Sequence, residues 1–213
     1  MNDTTKYTSV SPVITSIVFD LGGVLIDWNP RYLYRKIFSS EDEVTWFLEN
    51  ICTSEWNDEQ DAGRSFEEAT KSLIAKHPDL EVPISAWYGR WQETIQGPIQ
   101  GTVEILKQLK ERDKYPLYAL TNWSSETFPW ALDNFSFLHW FKGIVVSGHE
   151  KCRKPFPEFY QILFDRYQIE PSKTLFIDDN IKNIDGANAL GLHTIHFQSP
   201  DQLQRELIIY NIL

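Results

Sequence analysis

The chain has few of the residues that signal disulfide cross-links or a membrane span. Its two cysteines, Cys52 and Cys152, form no Cys-X-X-Cys pattern, so we expect free thiols in a reducing compartment. No apolar run approaches the roughly 20 residues that cross a bilayer. The polar start MNDTTKYTSVSPV lacks the charged-then-apolar order of a signal peptide. These absences predict a cytoplasmic protein without a membrane-spanning segment.

Positive charge is also scarce, because 20 lysines and arginines stand against 30 aspartates and glutamates, giving a net charge of −10. A balance of this sign argues against nucleic acid or an anionic membrane surface as the main partner. It leaves open a small anionic substrate, because a bound cation and a few local basic side chains decide such binding. With 42% hydrophobic residues, the 213-residue chain can bury a core and suits one sizeable domain, with or without an insertion.

Short apolar runs alternate with amphipathic helical patterns along most of the chain. The runs have the length and the β-branched and aromatic content of buried strands, and they cover 14–20, 117–122, 143–147, 174–179 and 192–197. Helical patterns separate or follow most of them, at 103–112, 158–167, 181–190 and 202–213. Strands that alternate with helices predict an α/β protein with a mostly parallel, Rossmann-like sheet.

One interval breaks this alternation. Between about residues 29 and 96 no strand candidate occurs, and helical patterns cover 41–50, 65–76 and 84–95. The interval is far too long for a simple connection. We therefore predict a helical cap domain, residues 29–96, inserted into a core formed by residues 1–28 and 97–213. Five of the eight tryptophans fall at positions 28, 46, 56, 87 and 91. We expect them mainly to pack the small core of the cap, with the lining of a substrate pocket as the alternative.

Polar residues stand where the predicted strands end. Ligands in open parallel sheets bind beyond the carboxyl ends of the strands, so we expect these side chains to lie together. The set comprises Asp20, Thr121, Asn122, Lys154, Asp178 and Asp179. Neighbouring carboxylates repel one another unless a cation joins them, and Mg²⁺ is the hard ion that prefers oxygen ligands.

Four segments carry a resemblance to a known family. FDLGGVLID at 19–27, LTN at 120–122, RKPFPEFY at 153–160 and FIDDNIKNIDGA at 176–187 together resemble the four motifs of the haloacid dehalogenase-like superfamily. The resemblance covers about residues 14 to 197, and the helical interval resembles that family's type-one cap. The first motif also resembles that of bacterial sugar-phosphate phosphatases of the glucose-1-phosphate type. The resemblance implies a Mg²⁺-dependent hydrolase of small phosphate monoesters, with sugar phosphates as one candidate class.

The resemblance also implies roles for the matching residues. Asp20 matches the nucleophile that forms an aspartyl-phosphate, which water then hydrolyses. Thr121 matches the residue whose hydroxyl binds the transferring phosphoryl group, and Asn122 would add an amide donor. Lys154 matches the lysine that balances the charge of Asp20 and the phosphoryl group.

The same resemblance implies a magnesium site. Asp20, the backbone carbonyl of Gly22 and Asp179 would hold the ion. Asp178 would act through metal-bound water, and Asn183, one helical turn later, would support it.

Gly22 is the departure from the family pattern. Most phosphatases of the superfamily carry a second aspartate at this position, which protonates the leaving oxygen and later activates water. Either a good leaving group makes this proton unnecessary, or Asp27 or a cap residue supplies it. Two other readings stay open, a metal-independent 2-haloacid dehalogenase and a catalytically weak binding module. The sequence leaves the substrate and the choice between monomer and homodimer undecided.

Overall fold

The structure, a computed structural model, describes residues 13–213. Its strands are β1 (Ser16–Phe19), β2 (Ile26–Trp28), β3 (Ile95–Pro98), β4 (Leu117–Thr121), β5 (Gly143–Val146), β6 (Thr174–Asp178) and β7 (His193–His196). Five of them form one parallel sheet in the order β5-β4-β1-β6-β7, and β2 and β3 form a separate antiparallel pair. All five predicted sheet strands are present, which confirms the α/β fold.

The central strand β1 is buried on both faces of the sheet. Its side chains alternate, so that Ile17 and Phe19 join one hydrophobic cluster and Val18 joins another. The helices that cover the sheet are α6 (Gln100–Arg112), α7 (Phe128–Asn134), α8 (Ser147–Glu150), α9 (Pro157–Tyr167), α10 (Ile181–Ala189) and α11 (Pro200–Ile209). Burial on both faces explains why β1 reads as a continuous apolar run rather than an alternating one. The strand order reverses at β1, with β4 on one side and β6 on the other, and this creates a crevice at their carboxyl ends.

A helical unit lies between β2 and β3. It contains α1 (Arg31–Tyr34), α2 (Glu41–Asn50), α3 (Ser54–Asp61), α4 (Phe66–Lys76) and α5 (Glu81–Gly89). These helices bury a hydrophobic cluster of their own, in which Tyr34, Phe47 and Trp87 are the large aromatic members. We call residues 29–96 the cap, as predicted from the sequence, and its boundaries remain a proposal.

Two sequence expectations for the cap need correction. The helix predicted for 84–95 ends at Gly89, a short 3₁₀ turn follows, and β3 begins at Ile95, so the interval is not free of strand. The tryptophans also divide between environments. Trp87 is buried in the cap cluster and Trp28 and Trp56 pack against it, whereas Trp91 packs against Trp123 in the main core and Trp46 is 51% exposed.

Two further expectations concern cysteine and the membrane. Cys52 and Cys152 are both free thiols. Within residues 13–213, no helix combines the length and the apolar character that crossing a bilayer requires.

Candidate active site

Three strand ends bring the predicted polar residues to the crevice beside β1. Asp20 directly follows β1, Thr121 ends β4 and Asp178 ends β6. Parallel pairing of β1 with both neighbours aligns these three ends at the same edge of the sheet. The juxtaposition that the sequence predicted is therefore present.

Lys154 lies at the centre of the group. Its Nζ is 2.9 Å from Oδ1 of Asp20 and 2.7 Å from Oδ2 of Asp178, and its side chain is fully buried. Asn122 fixes its backbone, since the Asn122 Nδ2 donates to the Lys154 carbonyl at 3.1 Å and the Lys154 N–H donates to Oδ1 of Asn122 at 2.9 Å. Through these contacts the amide at the end of β4 places the lysine between the two carboxylates.

Further hydrogen bonds hold Asp178 rigidly. Nδ2 of Asn183, one turn into α10, donates to its two oxygens at 3.0 and 3.1 Å. The backbone N–H of Asn180 donates to Oδ1 at 2.8 Å. Lys154 Nζ is the further donor to this carboxylate, so both oxygens of Asp178 accept hydrogen bonds from groups of the protein itself.

Asp179 completes an acidic group that fits a cation. Carboxylate oxygens of Asp20, Asp178 and Asp179 lie within 4.8 Å of one another. Gly23, with a φ of +72°, lies directly against the Asp179 carboxylate, and a side chain at that position would overlap it. Three carboxylates face one lysine here, so acidic groups outnumber basic ones, and the carboxylate oxygens are ligands that Mg²⁺ prefers.

The electrostatics of the site reflect this excess of acid. Burial raises the pKa of Asp20 well above its usual range, Lys154 opposes the rise, and Asp178 and Asp179 add to it. Burial acts to lower the pKa of Lys154, but attraction to Asp178 and Asp20 outweighs it and the pKa is raised. Burial and the charge of Asp178 raise the pKa of Asp179. A nearby cation would favour the ionised form of both Asp20 and Asp179.

The hydroxyl of Thr121 is unusual because it is buried and has no hydrogen-bond partner among the described residues. An unsatisfied buried hydroxyl costs about 1–3 kcal/mol. Such a group at the strand end beside Asp20 is suited to bind a polar group that enters the crevice. Its predicted phosphoryl contact, like that of Asn122, stays a prediction.

A solvent-accessible cavity of about 550 Å³ opens in front of Asp20, between the core and the cap. Six aromatic side chains contribute to its wall: Trp28, Phe66, Trp87, Tyr88, Trp91 and Trp123. Asp58 and Asp61 of α3 also line it, and within residues 13–213 Arg31 is the one arginine or lysine that does so. Sequence reasoning missed the two acids of α3, because cap residues belong to no motif and their position depends on how the cap docks.

A buried lysine between carboxylates, at the switch point of a parallel sheet and under a cap, is typical of an enzyme active site. The family model for haloacid dehalogenase-like hydrolases matches residues 14–191 of this chain. The chain therefore belongs to the haloacid dehalogenase-like hydrolase family.

Curated relatives include phosphatases of similar length. A sesquiterpene phosphatase of Aspergillus oryzae is 26% identical over 84% of this chain and 87% of its own length. A D-ribitol-5-phosphate phosphatase of Bacteroides thetaiotaomicron is 22% identical over 92% of this chain and 98% of its own. Other relatives are much longer, and the chain spans only 36% and 18% of the length of two of them. These relatives support an enzyme of the phosphatase class.

Solved structures agree with this assignment. A haloacid dehalogenase family enzyme of Bacteroides thetaiotaomicron, in complex with magnesium and inorganic phosphate, has a TM-score of 0.67 at 25% identity and covers 87% of this chain and 95% of its own. Two dehalogenases share the fold at 19% and 16% identity. At these low sequence identities, the similarity to the two dehalogenases concerns the fold alone.

Proposed function

We propose that the chain hydrolyses small phosphate monoesters through an aspartyl-phosphate on Asp20. The observation that carries the proposal is the buried Lys154, which contacts Asp20 and Asp178 together, directly behind the wall of a cavity of about 550 Å³ that Asp20 lines. A lysine so placed can neutralise charge as the phosphoryl group transfers.

In the proposed reaction, each residue of the site has a separate role. The Leu21 N–H and Lys154 Nζ donate to Oδ1 of Asp20 at 2.7 and 2.9 Å and so orient the carboxylate. Asp20 attacks phosphorus, and the alcohol leaves as the new bond forms. The free hydroxyl of Thr121 donates to a phosphoryl oxygen. Attack of water on phosphorus then breaks the bond to Asp20 and releases phosphate.

Asp20, the Gly22 carbonyl and Asp179 would hold Mg²⁺, with Asp178 and Asn183 in support. When bound, the ion would neutralise the phosphoryl oxygens and favour ionised Asp20 at neutral pH. Support comes from the mutual proximity of the three carboxylates, and from the magnesium and phosphate complex of the related Bacteroides enzyme.

Two substrate classes compete. Sugar and sugar-alcohol phosphates are favoured by the resemblance of the first motif and by the D-ribitol-5-phosphate phosphatase relative. Phosphates of apolar alcohols are favoured by the six aromatic side chains of the cavity and by the sesquiterpene phosphatase relative. In either class, a second anionic group on the substrate is disfavoured, because Asp58 and Asp61 line the wall and Arg31 is the one basic side chain among the described lining residues that could offset their charge.

The test measures release of phosphate from 4-nitrophenyl phosphate, then from panels of both substrate classes. Each assay is run with Mg²⁺ and with chelator, beside the variant Asp20→Asn and the control Asp133→Asn, which changes an exposed carboxyl that does not line the cavity. Magnesium-dependent turnover that Asp20→Asn abolishes and Asp133→Asn retains supports the proposal. Halide release from 2-chloropropionate without metal, and no phosphate release, would instead establish the dehalogenase alternative.

A further inference from the structure

The position that lacks a general acid is structurally open. A Cβ placed on Gly22 would meet no atom within 4 Å among residues 13–213, apart from its two chain neighbours, so the space beside it is open in this part of the chain. The backbone of Gly22 is not in the left-handed region, which Gly23, Gly63, Gly97 and Gly191 occupy. An alkoxide leaving group nevertheless needs a proton as its bond to phosphorus breaks. The donor must therefore reach the cavity from elsewhere.

Most carboxyl groups near the site are paired with another side chain, lie outside the cavity wall or are exposed to solvent. Asp58 forms an ion pair with Arg153 at 3.1 Å. Asp27 accepts hydrogen bonds from the Tyr32 hydroxyl at 3.0 and 3.1 Å and does not contribute to the cavity wall. Glu49 lines the cavity but is exposed to solvent. Among the carboxyl groups of the cavity wall outside the acidic group of the core, Asp61 remains.

Asp61 is the last residue of α3, and several contacts press this end of the helix against the core. The Asp58–Arg153 ion pair joins α3 to the loop that carries Lys154. Two residues beyond Asp61, Gly63 turns with a φ of +97°, and a Cβ there would lie 3.2 Å from the carbonyl oxygen of Gly148. The N–H of Phe66 donates to Glu126 of the core at 2.7 Å. These contacts hold Asp61 at the cavity.

The surroundings of Asp61 suit proton exchange. Its carboxyl accepts a hydrogen bond from Nδ2 of Asn57 at 3.1 Å. Burial raises the pKa of Asp61 to about 7, the charge of Asp58 adds to the rise, and Arg153, the Ser124 backbone and Lys154 oppose it. The carboxyl group also lies at the negative end of the α3 dipole, and Tyr88 faces it from α5. A carboxyl that titrates near neutrality can both give and take a proton during turnover.

We propose that Asp61 of the cap is the general acid and base that replaces the side chain missing at Gly22, an inference that rests on the proposed phosphatase function. As Asp20 bonds to phosphorus, the electron pair of the breaking P–O bond goes to the alcohol oxygen, which takes the proton of Asp61. The Asp61 carboxylate then takes a proton from the attacking water. The water oxygen bonds to phosphorus, the bond to Asp20 breaks, and protonated Asp61 is restored.

The experiment compares two substrates of nearly equal shape. 4-Nitrophenyl phosphate releases a phenolate that needs little protonation, whereas 4-nitrobenzyl phosphate releases an alkoxide that needs it strongly. We expect Asp61→Asn to lower kcat/KM for the benzyl ester by about 100- to 1,000-fold and for the phenyl ester by less than about tenfold. Because water activation also slows, the variant should give a burst of nitrophenolate equal to the enzyme concentration. Asp133→Asn, at an exposed carboxyl that does not line the cavity, serves as the carboxyl-to-amide control and should match the wild type on both esters.

A second variant tests the open position directly. Gly22→Asp in the Asp61→Asn background places a carboxyl where the structure has free space, and we expect it to restore at least a tenth of the lost benzyl-ester activity. Thermal unfolding confirms that each variant is folded.

Three results would overturn the inference. Equal losses on the two esters would show that Asp61 only positions the cap, and unchanged kinetics would show that it is not involved. In both cases the phosphatase function would stand. Absence of Mg²⁺-dependent turnover of either ester by the wild type would overturn the proposed function and this inference together.

Discussion

The ammonium group of Lys154 lies 2.7 Å from a carboxylate oxygen of Asp178, and both side chains are fully shielded from solvent. Removal of one partner from a buried pair leaves an uncompensated charge in a medium of low polarizability, which costs about 3–5 kcal/mol. We expect Lys154→Met to lose this amount of unfolding free energy, measured by urea titration, and to lose detectable turnover.

The matched control is Lys173→Met. Lys173 also contacts a carboxylate, Glu170, at 2.9 Å, but the two side chains are 45% and 57% exposed. Exposed pairs contribute less than about 1 kcal/mol. Equal losses for the two variants would contradict the role assigned to burial.

The sheet was predictable because its three central strands, β1, β4 and β6, are buried on both faces and so appear as apolar runs. Asp20, Thr121 and Asp178 were predictable for the same reason, since each ends such a run. The short β2 and β3 were not predictable, because three or four residues carry too little periodicity and the two paired strands lie far apart in the sequence. The apolar spacing that predicts a helix over 84–95 continues through Trp91, but the helix ends at Gly89.

The side chains of the site also differ in how far the sequence predicts their contacts. The family resemblance implied that Lys154 balances the charge of Asp20, and the two side chains are in contact. The hydrogen bonds of Asn122 to the Lys154 backbone depend on the exact path of the loop between β5 and α9, which no local pattern encodes. Asp61 reaches the cavity only through docking of α3 against the core, so its neighbours in the sequence give no signal of its position.

Gly23 offers a test of the proposed magnesium site. A Cβ at this position would overlap the Asp179 carboxylate, so we expect Gly23→Ala to displace Asp179 and to weaken Mg²⁺ binding by at least about tenfold in calorimetry. The positive φ should add a backbone cost of about 1–2 kcal/mol to folding.

Gly191→Ala separates the two effects. Gly191 has a φ of +85°, and a Cβ at this position would meet no atom of the described residues within 4 Å, so the variant carries the backbone cost alone. We expect it to lose similar stability and to bind Mg²⁺ like the wild type. Similar loss of Mg²⁺ affinity in both variants would argue against Asp179 as a ligand.

Asn183 should matter through Asp178. Its Nδ2 donates to both oxygens of that carboxylate, and its side chain is buried. Asn183→Ala should cost about 1–3 kcal/mol of unfolding free energy and lower kcat, because Asp178 then holds Lys154 less firmly. Asn188→Ala, on the same helix, removes an exposed amide that accepts from Thr194 at 2.9 Å, and should change stability by about 0.5 kcal/mol or less. If chemical denaturation gave the two variants equal stability, Asn183 would have no special part in the site.

The pKa of Asp61 predicts an effect on stability that is independent of catalysis. Burial raises this pKa from an ordinary 3.8 to about 7, so the folded chain holds the proton more tightly than the unfolded chain. The corresponding stability is fully present below about pH 4 and is lost as the pH rises through 7. Asparagine cannot ionise. With chelator present, the unfolding free energy of Asp61→Asn should therefore rise relative to that of the wild type as the pH rises from 4 to 8. We expect a difference of about 1–2 kcal/mol, because solvent screens this partly accessible group.

Glu93→Gln provides a control of opposite sign. Hydrogen bonds from Arg90 and then Lys36 lower the pKa of Glu93 to about 2. Its contribution to stability is present above the ordinary pKa of 4.5 and is lost as the pH falls towards 2. Glu93→Gln should thus be less stable than the wild type at neutral pH and approach it in acid. If the difference in unfolding free energy between Asp61→Asn and the wild type instead stayed constant between pH 4 and 8, that result would show that Asp61 is ionised in the folded protein over this range. It would contradict the proposal that Asp61 donates a proton to the leaving group.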